Sequence, residues 1–312
     1  MRHTIKLTEE QLRQSIREML KAESVTKFAK AITEGKIYHQ TYERVYHAMY
    51  ESMGINDEVY RLTNELYDEA SRRIDELKDK DSITIKLKIN SEEFNCYVWR
   101  ADRNGGFSNY EDGKYPMFIS VRAVIKKNGK IDWASFKDSA QHELSHIFEQ
   151  EMAGKRYPGD DLNSLITFDI NSGDQARHSI ACALYFSNPT EQTAYVNGMY
   201  SFIMKRFEDG EVPISPDEIE AYHSLTLLYQ FAEYINDEHN REAIERGLSD
   251  YHKFGWTYRR LKSRVNDGVK SFEYKIARGL RKCQNDLAKK GVSVTDSAVW
   301  LPDLTFLYNK EK

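Results

Sequence analysis

The apolar positions of this chain change period twice. Through the first eighty residues they recur every three or four, as on one face of a helix. Leu12, Ile16, Met19 and Leu20 form the first such face. Thr8 and Gln11 make a capping box ahead of it, and Leu7 with Leu12 fits a hydrophobic staple, so a helix is expected to start at Glu9. Further helices are expected over residues 38–53 and 57–77, punctuated by Gly35 and Gly54.

Between residues 82 and 131 the period falls to two. Ile83, Ile85, Leu87 and Ile89 alternate with Thr84, Lys86 and Lys88, the pattern of a half-buried strand. Phe94-Asn95-Cys96-Tyr97-Val98-Trp99 reads as its hairpin partner, and residues 117–125 as another strand, closed by an Asn128-Gly129 turn. Arg103-Asn104-Gly105-Gly106 and Asp112-Gly113 mark loops. The region predicts a small, mostly antiparallel sheet.

The helical period then returns. Asp132-Trp133-Ala134-Ser135 can start a helix whose apolar positions are Trp133, Phe136, Ala140, Leu144, Ile147, Phe148 and Met152. A second helical segment runs from Gln175 to Phe186. Asn188-Pro189-Thr190 breaks it and can cap a third, beginning at Glu191. Residues 196–250 read as striped helices, with Ser215-Pro216-Asp217-Glu218 as one start. Residues 253–290 read as one long amphipathic helix carrying twelve Lys/Arg against three Asp/Glu. The expected fold class is therefore α+β and mostly helical, with the small sheet placed before the helix at 132–152. Three regions are expected: 1–80 helical, 81–210 a core, and 211–312 helical.

At 312 residues, 40 % hydrophobic and 30 % charged, the chain can bury a sizeable core and needs no membrane. No apolar run approaches the roughly 18 residues that a spanning helix requires. Cys96, Cys182 and Cys283 are an odd, scattered set without C-x-x-C, so free thiols in a reducing compartment are expected. The net charge of −4 carries no overall polyanion-binding signature. The basic helix is read as packing on the body with a solvated face, and nucleic acid is not the expected partner.

One stretch carries chemistry: Gln141-His142-Glu143-Leu144-Ser145-His146. On a helix, His142 and His146 share a face and can bind one metal ion. Glu143 can then reach a water at that ion without binding it. Two imidazoles leave a catalytic metal one protein ligand short. Glu191, His178, Asp169 and Asp174 are the available donors downstream.

The stretch has the H-E-x-x-H pattern and resembles the zinc metallopeptidases that carry it. The metzincin branch is excluded, because its pattern needs Gly at 149 and His at 152, where this chain has Glu149 and Met152. The strict thermolysin-type second motif is also absent. Glu191-Gln192-Thr193-Ala194-Tyr195, at a helix start after an N-P break, is similar to the E-x-x-A motif of gluzincins, particularly the ImmA/IrrE-like group of phages and mobile elements.

The resemblance covers roughly residues 115–205. It implies a zincin-like core that binds Zn2+ through His142, His146 and Glu191 and hydrolyses a protein or peptide, with Glu143 as general base. It implies an oxyanion donor, for which Tyr195 and His178 are the candidates. It also implies that the 117–125 run is an edge strand lining the cleft; the alternative is a plain core strand.

The opening Ile5-Lys6-Leu7-Thr8-Glu9-Glu10-Gln11-Leu12 resembles a short helix on proteins of crAss-like gut bacteriophages. That implies a phage protein, placed in the host cytoplasm or the virion, with a phage or host protein as partner. Two other functions remain open. One is a non-catalytic zinc-binding structural or virion-associated protein. The other is a regulatory protein that binds nucleic acid or a partner through the basic C-terminal helix.

Overall fold

The computed structural model describes residues 55–89, 92–109, 117–153 and 160–292. The helices expected at Glu9 and over 38–53 lie outside these residues, as does the 112–113 loop.

Helix α1 (Ile55–Arg72) and the short α2 (Ile74–Asp79) occupy the span expected as one helix. Arg73 interrupts it, its guanidinium donating to the Thr84 carbonyl of the next strand at 2.7 Å. Strands β1 (Ser82–Ile89), β2 (Glu92–Ala101), β3 (Gly106–Asn109) and β4 (Phe118–Val124) follow, hydrogen-bonded in the order β1-β2-β4-β3. The β1–β2 and β3–β4 pairs are antiparallel, but β2–β4 is parallel, so the sheet is mixed rather than mostly antiparallel.

The 117–125 run is not an edge strand. β4 is paired on both sides, and its Ile119, Val121 and Ala123 are fully buried. Those three, with the alternating residues of β1 and Phe94, Cys96 and Val98 of β2, turn one sheet face into a core. Among the described residues the edges are β1 and β3; β3 begins at Gly106, the last residue of the 103–106 stretch expected as a loop, and runs on into residues given no element in the sequence. It is four residues long and keeps Phe107 exposed, so it carries no buried alternation.

Asp132 caps the next helix, α3 (Trp133–Ala153), by accepting from Ser135 N at 3.3 Å. Then come α4 (Asp160–Ile170), α5 (Gln175–Phe186) and α6 (Pro189–Glu208). Asp174 caps α5 and Asn188 caps α6, with Pro189 in its first turn. The expected start at 215–218 is a 3-10 turn closed by a reciprocal Ser215–Glu218 capping box. After it come α7 (Glu220–Asn236), α8 (Arg241–Gly247) and the long α9 (Tyr258–Lys289).

Two apolar clusters result. α1, α2, the sheet and the inner face of α3 form one. Helices α4 to α9 form the other. The packing therefore crosses the boundaries expected at residues 80 and 210: α1 and α2 share a core with the sheet, and α5 and α6 share one with α7 to α9. Helix α3 joins the two, its Phe136, Ala140, Leu144 and Ile147 facing the sheet and its Ala134 the helical cluster. All three cysteines are free and buried. Among the described residues no helix is long and apolar enough to cross a membrane.

Candidate metal centre

The six-residue stretch on α3 divides its side chains among three directions. Leu144 enters the sheet core. Gln141 accepts from Ser201 of α6 through its side chain, and Ser145 accepts from Asn197 of α6 at 3.1 Å. His142, Glu143 and His146 line a cleft of about 330 Å³. The polar residues between the histidines thus fasten α3 to α6, the helix that begins just ahead of Glu191. Gly198 lets the two helices close, since a Cβ there would lie 2.9 Å from the Asp138 carbonyl oxygen.

That fastening brings three donors together. His142 Nε2 and His146 Nε2 are 3.1 Å apart, and Glu191 Oε2 lies 3.6 Å from the first and 3.4 Å from the second. Ligand bonds of about 2.0–2.1 Å at tetrahedral angles place two donor atoms about 3.3 Å apart. All three separations fall within about 0.3 Å of that value. Glu191 Oε2 is buried and has no hydrogen-bond partner, which an isolated carboxylate does not tolerate cheaply. Burial alone would raise the Glu191 pKa, but the two imidazoles outweigh it and hold the carboxyl well below the usual range. The three residues form a group able to hold one metal ion.

Glu143 is buried beside the first histidine and under β3. A Cβ on Gly106 would lie 2.6 Å from Glu143 Cγ and 2.8 Å from its Oε1. Gly106, Phe107 and Ser108 form one wall of the cleft, and Ile166, Thr167, Leu184 and Tyr185 the other.

No family model matches the chain, and no curated protein or solved structure matches it either.

The remaining expected residues separate clearly. Tyr195 stands next to the site but faces a ligand: its ring meets His142 edge-to-face, centroids 4.6 Å apart. Burial raises its phenol pKa, with the Glu191 charge adding to the effect. His178 is engaged elsewhere, Nδ1 hydrogen-bonded to the Ile170 carbonyl at 2.7 Å and its ring against Phe231. It does not line the cleft and is not grouped with the three donors. Asp169 is fully buried and accepts from Arg177 and Tyr251, while Asp174 is a helix cap. These bonds commit both to structure rather than to a metal.

Two site residues were missed. Tyr185 lines the cleft at the end of α5, its phenol beside the Glu191 carboxylate and Tyr195. Burial, and then the Glu191 charge, push its pKa well up, so it stays a proton donor. Its position at the last turn before the Asn188-Pro189 break was the available signal. Gly106 is the other, and only its place in a Gly-Gly pair marked it.

Proposed function

We propose that this protein is a zinc-dependent metallopeptidase of gluzincin type, with His142, His146 and Glu191 as ligands and Glu143 as general base. The observation that carries the reading is the spacing of the three donor atoms, together with the unpartnered Glu191 Oε2. Two neutral imidazoles and one carboxylate are a donor set for zinc that leaves a fourth position open. Held by these three residues, a zinc ion would supply a Lewis acid able to bring the pKa of water toward about 7.

The other roles belong to the chain. Glu143, held in place by β3, accepts the water's proton and returns it to the leaving amine. Tyr185, protonated at neutral pH, donates to the oxygen that gains charge on the scissile carbonyl. Tyr195 steadies the His142 ring. β3 pairs only with β4 among the described residues, and its open edge beside Glu143 suits an extended peptide added as a further strand. A sheet ahead of the motif helix, an edge strand at the cleft and a Glu-bearing helix packed on α3 agree with a zincin-like arrangement.

The test is Glu143→Ala, measured for zinc content and for hydrolysis of a peptide library. A peptidase keeps about one zinc per chain and loses turnover. A purely structural zinc module shows no hydrolysis in the unaltered protein.

A further inference from the structure

A second concavity, distinct from the cleft at the metal centre, lies between α1, α6 and α9, touches Gln141 of α3, and encloses about 470 Å³. On α6 it is lined by Thr193, Val196, Asn197 and Tyr200, which helical spacing places on the face opposite Glu191. On α9 its lining residues step by three or four from Tyr274 to Lys289, a row about 22 Å long.

The charge in this cleft is uneven. Some basic side chains on or next to α9 outside the cleft are matched: Lys262 pairs with Glu238, Lys290 with Glu208, and Arg260 stacks on Trp256. In the cleft, Asp286 accepts from Lys289 and Tyr200 and is the one lining carboxylate among the described residues, and Lys275 donates to the Pro189 carbonyl. Lys282 sits over the Tyr200 ring face, 4.7 Å from its centroid, and its charge also acts on Asp286. Arg281 is exposed and forms no hydrogen bond or ion pair with a described residue. Tyr274 is 63 % exposed, a large aromatic ring on a cationic wall. An excess of cations over carboxylates in a concavity focuses a positive potential there, whatever the net charge of the chain.

We infer that the α1–α6–α9 cleft binds single-stranded nucleic acid, with phosphates along Arg281 and Lys282 and a base stacked on Tyr274. Two neighbouring exposed cations beside an exposed ring suit consecutive phosphates of a strand with a base between them, rather than one anion. Interleaved aromatic rings suit unpaired bases, which stack with little sequence preference. This departs from the solvated face expected of the basic helix. It stands independently of the proposed peptidase activity, since no residue of the metal centre takes part.

The experiment is fluorescence anisotropy of the full chain with a labelled 20-nucleotide oligothymidylate. Binding is expected to be salt-dependent: about two phosphate contacts give a log–log slope near −1.4, or about sevenfold weaker binding for a fourfold rise in salt. The paired change Arg281→Glu with Lys282→Glu should weaken binding by about tenfold or more. Arg259→Glu with Lys270→Glu, an equal charge change at exposed positions of α9 outside the cleft, should cost less than about threefold. Tyr274→Ala should weaken oligothymidylate binding by about fivefold or more, while leaving binding of heparin, a polyanion without bases, unchanged.

The inference is overturned by absence of binding at low salt. Equal losses in the two charge-reversed pairs would overturn it too, as would tighter binding of a duplex of the same length. A Tyr274→Ala effect that is absent, or as large on heparin as on the oligonucleotide, also rejects it.

Discussion

Glu143 lies so close beneath Gly106 that a methyl group on that glycine would sit 2.6 Å from its Cγ. The edge strand therefore fixes the height of the carboxylate in the cleft. Gly106→Ala should leave the fold and zinc content intact, because the flexible end of Glu143 can move aside. It should lower kcat by about 100-fold, the cost of a general base displaced by about 1 Å. Activity and metal assays on one preparation check this; unchanged kcat would show that the contact does not position the base.

Glu191 carries a buried oxygen with no partner apart from the two imidazoles. Glu191→Gln should weaken zinc binding by at least about 100-fold, more than losing an outer-shell partner costs. Zinc at 100 times its Kd should stabilise the unaltered protein by about 2.7 kcal/mol, and the variant by no more than about 0.4 kcal/mol. Without metal the gap should narrow but keep its sign near pH 7, since the imidazoles that hold the Glu191 pKa down stabilise its carboxylate in the folded chain. Thermal melts with zinc and with chelator read both effects.

Tyr185 and His178 make opposite predictions. Tyr185→Phe removes a phenol from the cleft wall and should lower kcat by about 100-fold, with zinc content unchanged. His178→Ala removes a hydrogen bond to Ile170 and should cost about 1 kcal/mol of stability, with kcat unaffected. Steady-state kinetics and denaturant melts separate the two.

Asp138 is buried between α3 and α6, and burial holds its pKa well above the usual carboxylate range. Below about pH 3 the carboxyl is mostly protonated in both folded and unfolded chains, and at about pH 4 the unfolded one has only begun to ionise. As pH rises, the unfolded chain ionises first, so stability is lost up to the raised folded pKa. Asp138→Asn lacks that loss. It should match the unaltered protein near pH 4 and exceed it increasingly toward pH 8, as followed by urea midpoints across pH.

Much of this was legible in the residues, and what was missed has physical causes. Strict alternation marked β1, and α5 runs over the expected span because Asp174 and Asn188 bracket it with caps. The His142/His146 spacing is local and could be read directly, whereas Glu191 is joined to it only by the packing of α6 on α3. β3 was hidden because four residues with an exposed Phe107 carry no burial pattern. The edge role passed from β4 to β3 because strand order depends on pairing at a distance, which the period of two does not encode. Tyr185 was one of twenty tyrosines until α5 placed it beside Glu191.

The most direct measurement is X-ray absorption at the zinc edge on purified protein, beside Glu191→Gln. The expected result is one zinc per chain with two imidazole nitrogens and light oxygen donors at about 2.0–2.1 Å, and a site emptied or altered by the substitution. A preparation that takes up no zinc, or one whose zinc shell contains sulfur and is indifferent to Glu191, contradicts it.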